Sequence, residues 1–440
     1  MSDALRVAVV GSGPAGLYTA DELAKHGDVA VDVFDRLPAP YGLLRYGVAP
    51  DHLKMKTLET ALRRILDQPQ VRFFGGVEIG TDLRPEELRD YYDAVVYAFG
   101  SGSDRRLGIP GEDLPGSVGA KDFVSWYCGH PDRLPEFLLN AHSAVVVGAG
   151  NVALDVARIL AKTSDELRAV TDMSDDVLDA LAGSSITDIH LVARRGPAQA
   201  KFTTKELREM GELANADVIV DAAQLRLTEA DEAELLEDRI AQRNVDVMQG
   251  WIDKPLTGKP RRVHFHFRRS PTALLGEDQV EAVVLRHNDA EGGEDVIPAE
   301  LVLRAVGYRG IGLDGVPFDA STGVIPNEQG RVLRDGAASV GEYAVGWIKR
   351  GPTGVIGTNK SDAKETVTTL LADLAELPKA PNRDPDAILD LLRSRNVGVV
   401  DWSGWIAIEA AELALGASGG RKRIKIADWA QLLAAAKSAE

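Results

Sequence analysis

LRVAVVGSGPAGLYTADELAK, residues 5–25, runs from an apolar stretch through a glycine turn into a helical pattern. In such a turn Gly11 permits the tight bend, Gly13 lets backbone approach a pyrophosphate, and Gly16 lets helix and strand pack closely. The helix N-terminus then turns N–H groups and a favourable dipole toward the phosphates. VAVDVFD (29–35) supplies the next strand, so residues 5–35 read as the opening βαβ unit of a doubly wound sheet. The pattern restarts at SAVVVGAGNVALDVARILAK (143–162), with Gly148, Gly150 and Ala153 in the three slots, followed by the strand ITDIHLVARR (186–195). Alanine is a permitted variant in the third slot. Each repeat also contains a later strand that runs into glycine, YDAVVYAFGSG (92–102) and ELVLRAVGYRG (300–310). One glycine fingerprint is a weak signal; two with matching neighbours define an architecture.

The expected fold class is therefore α/β, with two dinucleotide-binding (Rossmann-like) domains, the second inserted into the first. DRRLGIPGEDLPG (104–116) is a Pro- and Gly-rich connector. The outer domain is expected to comprise 1–103 and 312–440, the latter with a small C-terminal module, and the inserted domain 104–311. RRVHFHFRR (261–269) and QVEAVVLRHN (279–288) alternate in polarity and read as an antiparallel meander packed on one face.

What ends the second strand of each repeat distinguishes the two sites. In VFD, Asp35 puts a carboxylate where ribose hydroxyls can donate to it. In LVARR, Arg194 and Arg195 replace the carboxylate with two fixed positive charges, a bidentate match for a 2′-phosphate. The first site is thus read as one for FAD and the second as one for NADP(H).

Composition limits the alternatives. A net charge of −17 argues against nucleic acid as a partner, because phosphate binding needs a basic surface. No run of 18 apolar residues occurs, so no membrane-spanning helix is expected. The first strand starts too close to Met1 for a leader peptide, which makes cytoplasmic residence the default expectation. Cys128 is the single cysteine. A CxxC redox pair of the thioredoxin-reductase type and cysteine-ligated clusters are excluded, and electrons must pass through an organic cofactor. A flavin oxidase or hydroxylase leaves the second fingerprint unexplained. A binding protein that has lost its cofactor leaves both sets of intact glycines unexplained.

Two further segments, PYGLLRYGVAPDHLKMK (40–56) and EYAVGWIKRGPTGVIGTN (342–359), carry glycines and aromatics at a spacing that fits no amphipathic element. Such backbone suits a planar ligand, with the helix expected from about Ser361 aiming N–H groups at an isoalloxazine edge. With VVGSGPAG, GAGNVALDVAR and KFTTKELREM, these segments resemble the adrenodoxin reductase family, and within it the bacterial ferredoxin–NADP reductases of mycobacterial type. The resemblance extends from about residue 5 to 436. It implies non-covalent FAD, NADPH as hydride donor, and ferredoxin or a similar small iron–sulfur protein as acceptor. It implies FAD contacts from Ala15, Asp35, Leu43, Val77, Trp347 and the backbone of Gly354, Val355 and Ile356. For NADP it implies contacts from Asn151, Val152, Ala153, Leu154, Arg194, Arg195, Glu206 and Gly354. Asp35 is a departure, since several relatives have glutamate there.

Three ionisable groups are candidates for the catalytic region. His52 can donate a hydrogen bond or proton near the flavin or nicotinamide, or simply follow a helix start capped by Asp51. Asp155 either links to His52 or water, or is a carboxylate stabilised by its helix dipole. Glu206 and Glu209 share one helical face, and Glu206 is favoured for the nicotinamide riboside. No metal site is expected: His264 and His266 lie on one strand face without a third ligand. Arg239, Arg243, Arg261, Arg262, Arg268 and Arg269 are candidates for a basic patch that docks an acidic acceptor. A monomer is expected.

Overall fold

The computed structural model describes residues 4–134, 137, 139–252, 254–289 and 292–439. The chain forms two compact units, one of Met1–Ser103 with Tyr308–Glu440 and one of Asp104–Gly307. The contiguous unit thus ends at Gly307 rather than at 311.

The first unit opens with β1 (Leu5–Val10), α1 (Pro14–Ala24) and β2 (Val29–Asp35), and adds β3 (Ala94–Tyr97). β1 is buried along its whole length, as a central parallel strand covered on both faces must be. α1 begins with Pro14, whose missing N–H costs nothing at a helix start.

In the second unit, β4 (Ser143–Val147), α2 (Asn151–Ala161) and β5 (Asp188–Ala193) repeat that arrangement. α3 (Thr204–Met210), α4 (Arg239–Ile252), β6 (Arg261–Phe267) and β7 (Leu301–Arg304) follow. Its six-stranded sheet has the order Ser117–Gly119, β7, β4, β5, β6, Ala216–Val220. β6 corrects the expected meander: it runs parallel to β5 and to Ala216–Val220 inside the main sheet. Its alternation arises because Val263, Phe265 and Phe267 enter the helix-covered core while His264 and His266 occupy the other face. Arg268, at φ 54°, ends the strand, and the antiparallel meander is Arg269–Leu275, Ala282–His287 and Glu294–Pro298.

Back in the first unit, the chain supplies Asn327–Glu328, Arg331–Arg334 and Ala337–Ala344, which extend the sheet beyond β3. The full order is these three strands, then β3, β1, β2 and Val71–Gly75. α5 (Thr358–Ala372) starts three residues before the expected position and packs along α1. The C-terminal helices Trp402–Ser418 and Trp429–Ala436 start at Asp401 and Asp428, whose side chains accept from the N–H groups of Gly404 and Gln431. Trp405 enters the core with Tyr41, ring edge to face at 5.8 Å. Glu412, fully buried, accepts from both terminal nitrogens of buried Arg45, at 2.5 and 3.2 Å. The module therefore grips the 40–47 loop through a desolvated ion pair.

Candidate functional site

The duplication seen in the sequence holds at atomic detail. Gly11 donates to the Phe34 carbonyl at 2.7 Å, and Gly148 to the Val192 carbonyl at 2.9 Å. Each glycine also lies against the residue that follows the neighbouring strand. A Cβ on Gly11 would sit 2.6 Å from the Ala98 carbonyl oxygen, and one on Gly148 2.3 Å from that of Ala305. Their φ angles of 115° and 155° add a second reason for glycine. Gly13 and Gly150 are the N-caps, neither helix has a side-chain cap, and neither has an acidic residue in its first turn. Both helix starts thus leave unfilled N–H donors and positive potential for an anion.

In the first unit the Asp35 carboxylate braces the turn. Its Oδ2 accepts from the Ser12 N–H at 2.8 Å and the Ser12 hydroxyl at 2.5 Å, and its Oδ1 accepts from the Leu37 N–H at 2.9 Å. Burial pushes this carboxyl above its ordinary range, against the pull of the Ser12 and Leu37 bonds. The remaining lone pair of Oδ1 suits a ribose hydroxyl. Tyr41, at φ 83°, and Gly42, at φ 49°, fold the 40–47 loop tightly over the turn. A Cβ on Gly42 would lie 2.9 Å from the Gly13 Cα, so two backbones meet where a phosphate chain needs room. Ala15 is buried and faces Gly346, whose added Cβ would come within 2.6 Å of the Ala15 Cβ.

Asp362 shapes the second loop, a role the sequence motif alone did not signal. It accepts from the Gly346 N–H at 2.6 Å, Lys349 Nζ at 2.7 Å and Arg350 Nε at 3.2 Å. Trp347 stacks on Tyr308 with ring centroids 5.6 Å apart. Gly354, at φ 82°, Val355 and Ile356 lead into Gly357, the uncapped N-cap of α5. Leu43 and Val355 are exposed apolar side chains, 38% and 65% accessible, as expected of residues that a planar ligand covers. Val77 is different: its side chain is buried in the core and its N–H donates to the Asp35 carbonyl, so only its remaining backbone is open to a ligand. His52 is buried and is itself the N-cap of Leu53–Lys56, so Asp51 is not the cap.

In the second unit Asn151 accepts the Thr203 N–H at 2.8 Å, fixing the start of α3 beside the glycine turn. Val152 is half-buried; Ala153 and Leu154 are buried against the sheet. Glu206 is buried, and its Oε2 and the Thr203 Oγ have no hydrogen-bond partner among the described residues. Unmatched buried polar atoms cost about 1–3 kcal/mol each. Glu209, by contrast, pairs with Lys205 at 3.0 Å. Asp155 lies past the first turn of α2, and buried Arg158 binds it at 2.8 Å, an ion pair rather than a dipole contact.

The carbonyls that receive Gly11 and Gly148 fix the alignment of the two strand ends: Phe34 matches Val192, so Asp35 matches Ala193. Ala193, not an arginine, takes the carboxylate's place, and Arg194 and Arg195 follow it. Both arginines are exposed and form no ion pair among the described residues. Their backbones are held by bonds from the Asn288 amide at 2.9 Å and the Arg268 N–H at 3.0 Å.

The expected basic patch shrinks. Arg261 donates to the Leu160 and Lys162 carbonyls at the end of α2, and Arg262 pairs with Asp188. Arg268 pairs with Asp231, and Arg269 with Asp289 and Asp295. Arg239 and Arg243, four apart on α4, remain exposed.

Two glycine turns, each following a central parallel strand of its own sheet, define a protein of the two-dinucleotide-fold class. The chain belongs to the pyridine nucleotide-disulphide oxidoreductase family, whose model matches residues 5–355. With one cysteine, it lacks the disulphide of the family's name. The chain is 44% identical to the NADPH-ferredoxin reductase FprA of Mycobacterium tuberculosis, over 97% of this chain and 98% of that protein. The mitochondrial NADPH:adrenodoxin oxidoreductase of Arabidopsis thaliana is 40% identical, over 98% and 95% of the respective lengths. The structure of Mycobacterium tuberculosis FprA in complex with NADPH superimposes with a TM-score of 0.92 at 42% identity, covering 99% of this chain and all of that one.

Proposed function

We propose that this protein is an NADPH-dependent ferredoxin reductase, with FAD held by the first unit and NADP(H) by the second. The contrast between the two strand ends carries the assignment: a braced carboxylate at Asp35, and exposed Arg194 and Arg195 beyond Ala193. Bound FAD would supply the conversion between a two-electron hydride donor, NADPH, and a one-electron iron–sulfur acceptor. The protein's part is placement. Gly11, Gly13 and Gly42 admit the pyrophosphate, Asp35 holds a ribose, and Leu43, Trp347 and Gly354–Ile356 enclose the ring system. Arg194 and Arg195 select the 2′-phosphate, and Glu206 and Thr203 offer their unmatched oxygens to the nicotinamide riboside. His52 and Asp155 complete the set of ionisable groups in this reading, with Arg158 positioning Asp155.

The purified protein should be yellow, and anaerobic NADPH should bleach it much faster than NADH does. Reduction of an acidic ferredoxin should then slow with added salt, and less steeply after Arg239→Ala and Arg243→Ala. A protein that binds no flavin when supplied with FAD, or that NADH reduces equally well, would overturn the assignment.

A further inference from the structure

His264 and His266 lack a third ligand only in the sequence. β5 runs beside β6 with His190 directly opposite His264, so three imidazoles share one sheet face. The His190 and His264 rings stack with centroids 4.5 Å apart, and His190 Nδ1 lies 2.9 Å from His266 Nε2. At the end of the row the Asp188 Oδ1 lies 2.8 Å from His264 Nε2. Asp188, His190 and His264 each offer one ligand atom, all within 4.8 Å of one another.

We propose that Asp188, His190 and His264, with His266 at the rim, form a binding site for one divalent transition-metal ion of the imidazole-preferring class. Two histidines and a carboxylate are a donor set that such ions accept, with a fourth position for His266 or water. Bonds of about 2.0–2.2 Å place tetrahedral ligand atoms about 3.4 Å apart, a spacing these side-chain atoms reach by small shifts. The competing cation is Arg262, whose guanidinium lies on Asp188 at 2.5–2.7 Å. Its side chain is 48% exposed and can swing into solvent when an ion takes its place. Such an ion would fasten β5 to β6 just before Arg194 and Arg195.

The test is titration of the chelator-treated flavoprotein with Co²⁺, read by its d–d absorption, and with Zn²⁺, read by calorimetry and Tm. The expected result is one ion per chain, bound at least tenfold more weakly by His190→Gln and by His264→Gln. The exposed control His142→Gln should bind as the parent does, and Arg262→Ala, freed of the competing cation, at least as tightly. Equal uptake by the parent and the cluster variants, an adventitious ion only, would overturn the site, as would weaker binding by Arg262→Ala. Should His190→Gln fail to fold, His264→Gln and Arg262→Ala at the accessible edge still decide the question.

Discussion

Removing Arg194 and Arg195 tests the second site most directly. Both side chains are exposed and make no ion pair among the described residues, while the strand end is held through main-chain carbonyls. Arg194→Ala/Arg195→Ala should therefore change stability by no more than ordinary surface substitutions do, about 0.5 kcal/mol. A hydrogen bond to a charged group contributes about 1.5–3 kcal/mol, and solvent exposure favours the lower end. Removing two such bonds amounts to about 3 kcal/mol, or about 150-fold in kcat/KM for NADPH. Each single variant should lose about tenfold. kcat/KM for NADH, which has no 2′-phosphate, should stay within about twofold of the parent value. Steady-state diaphorase assays with both nucleotides, alongside thermal melts, measure all of this. A double variant that keeps the parent's NADPH preference refutes the reasoning. So does a fall in Tm together with equal losses for both nucleotides, because the effect would then be on folding.

Glu206→Gln replaces a buried carboxylate whose Oε2 has no hydrogen-bond partner among the described residues, so Tm of the nucleotide-free protein should rise while NADP(H) binds about tenfold more weakly; calorimetry with NADP⁺ and thermal melts check the two signs. Glu412→Gln leaves Arg45 buried without its counter-charge, and should cost about 3–5 kcal/mol in denaturant unfolding and weaken FAD retention. In chelator, His190 and His266 contribute acid lability. Their folded values, about 3 and about 4, lie below the ordinary 6.5. Unfolding therefore takes up protons below pH 6.5, and the stability these groups supply above that pH is lost as pH falls toward 4. The slope should be about 1.4 kcal/mol per pH unit for each histidine, so His190→Gln should show about half the parent's excess slope between pH 6 and 4.

The elements that form the two sites were largely legible, because buried parallel strands, glycine turns and amphipathic helices leave local periodic marks. VAVDVFD is β2 residue for residue, and NVALDVARILA is α2. What the sequence left out is non-local. The alternation of RRVHFHF suits an antiparallel strand equally well, and only its pairing with β5 and Ala216–Val220 makes it parallel. That pairing also brings His190 to His264, a neighbour no spacing along the chain could show. The arginines expected to form a docking patch were read as charges without partners, yet Asp188, Asp231, Asp289 and Asp295 claim them from distant positions. Glu206 was separated from Glu209 only by resemblance; burial and an unmatched oxygen give that choice a physical basis.

The alignment of the strand ends carries one more consequence. In the first unit Ser12, between the two glycines, donates twice to Asp35; in the second the corresponding residues are Ala149 and Ala193, with neither hydroxyl nor carboxylate. The loss of the carboxylate thus goes with the loss of the group that holds it. On this reading the second site accepts a 2′-phosphate partly because nothing there repels it, independently of the arginines. Ala193→Asp alone buries a carboxylate without donors and should destabilise the second unit, since Ala193 is 5% accessible. Ala149→Ser/Ala193→Asp restores the Ser12–Asp35 arrangement and should recover most of that stability. With Arg194 and Arg195 intact, the double variant should still bind NADPH at least tenfold more weakly than the parent while its NADH value holds or improves. If NADPH binding survives a carboxylate placed there in a folded protein, selection rests on the arginines alone.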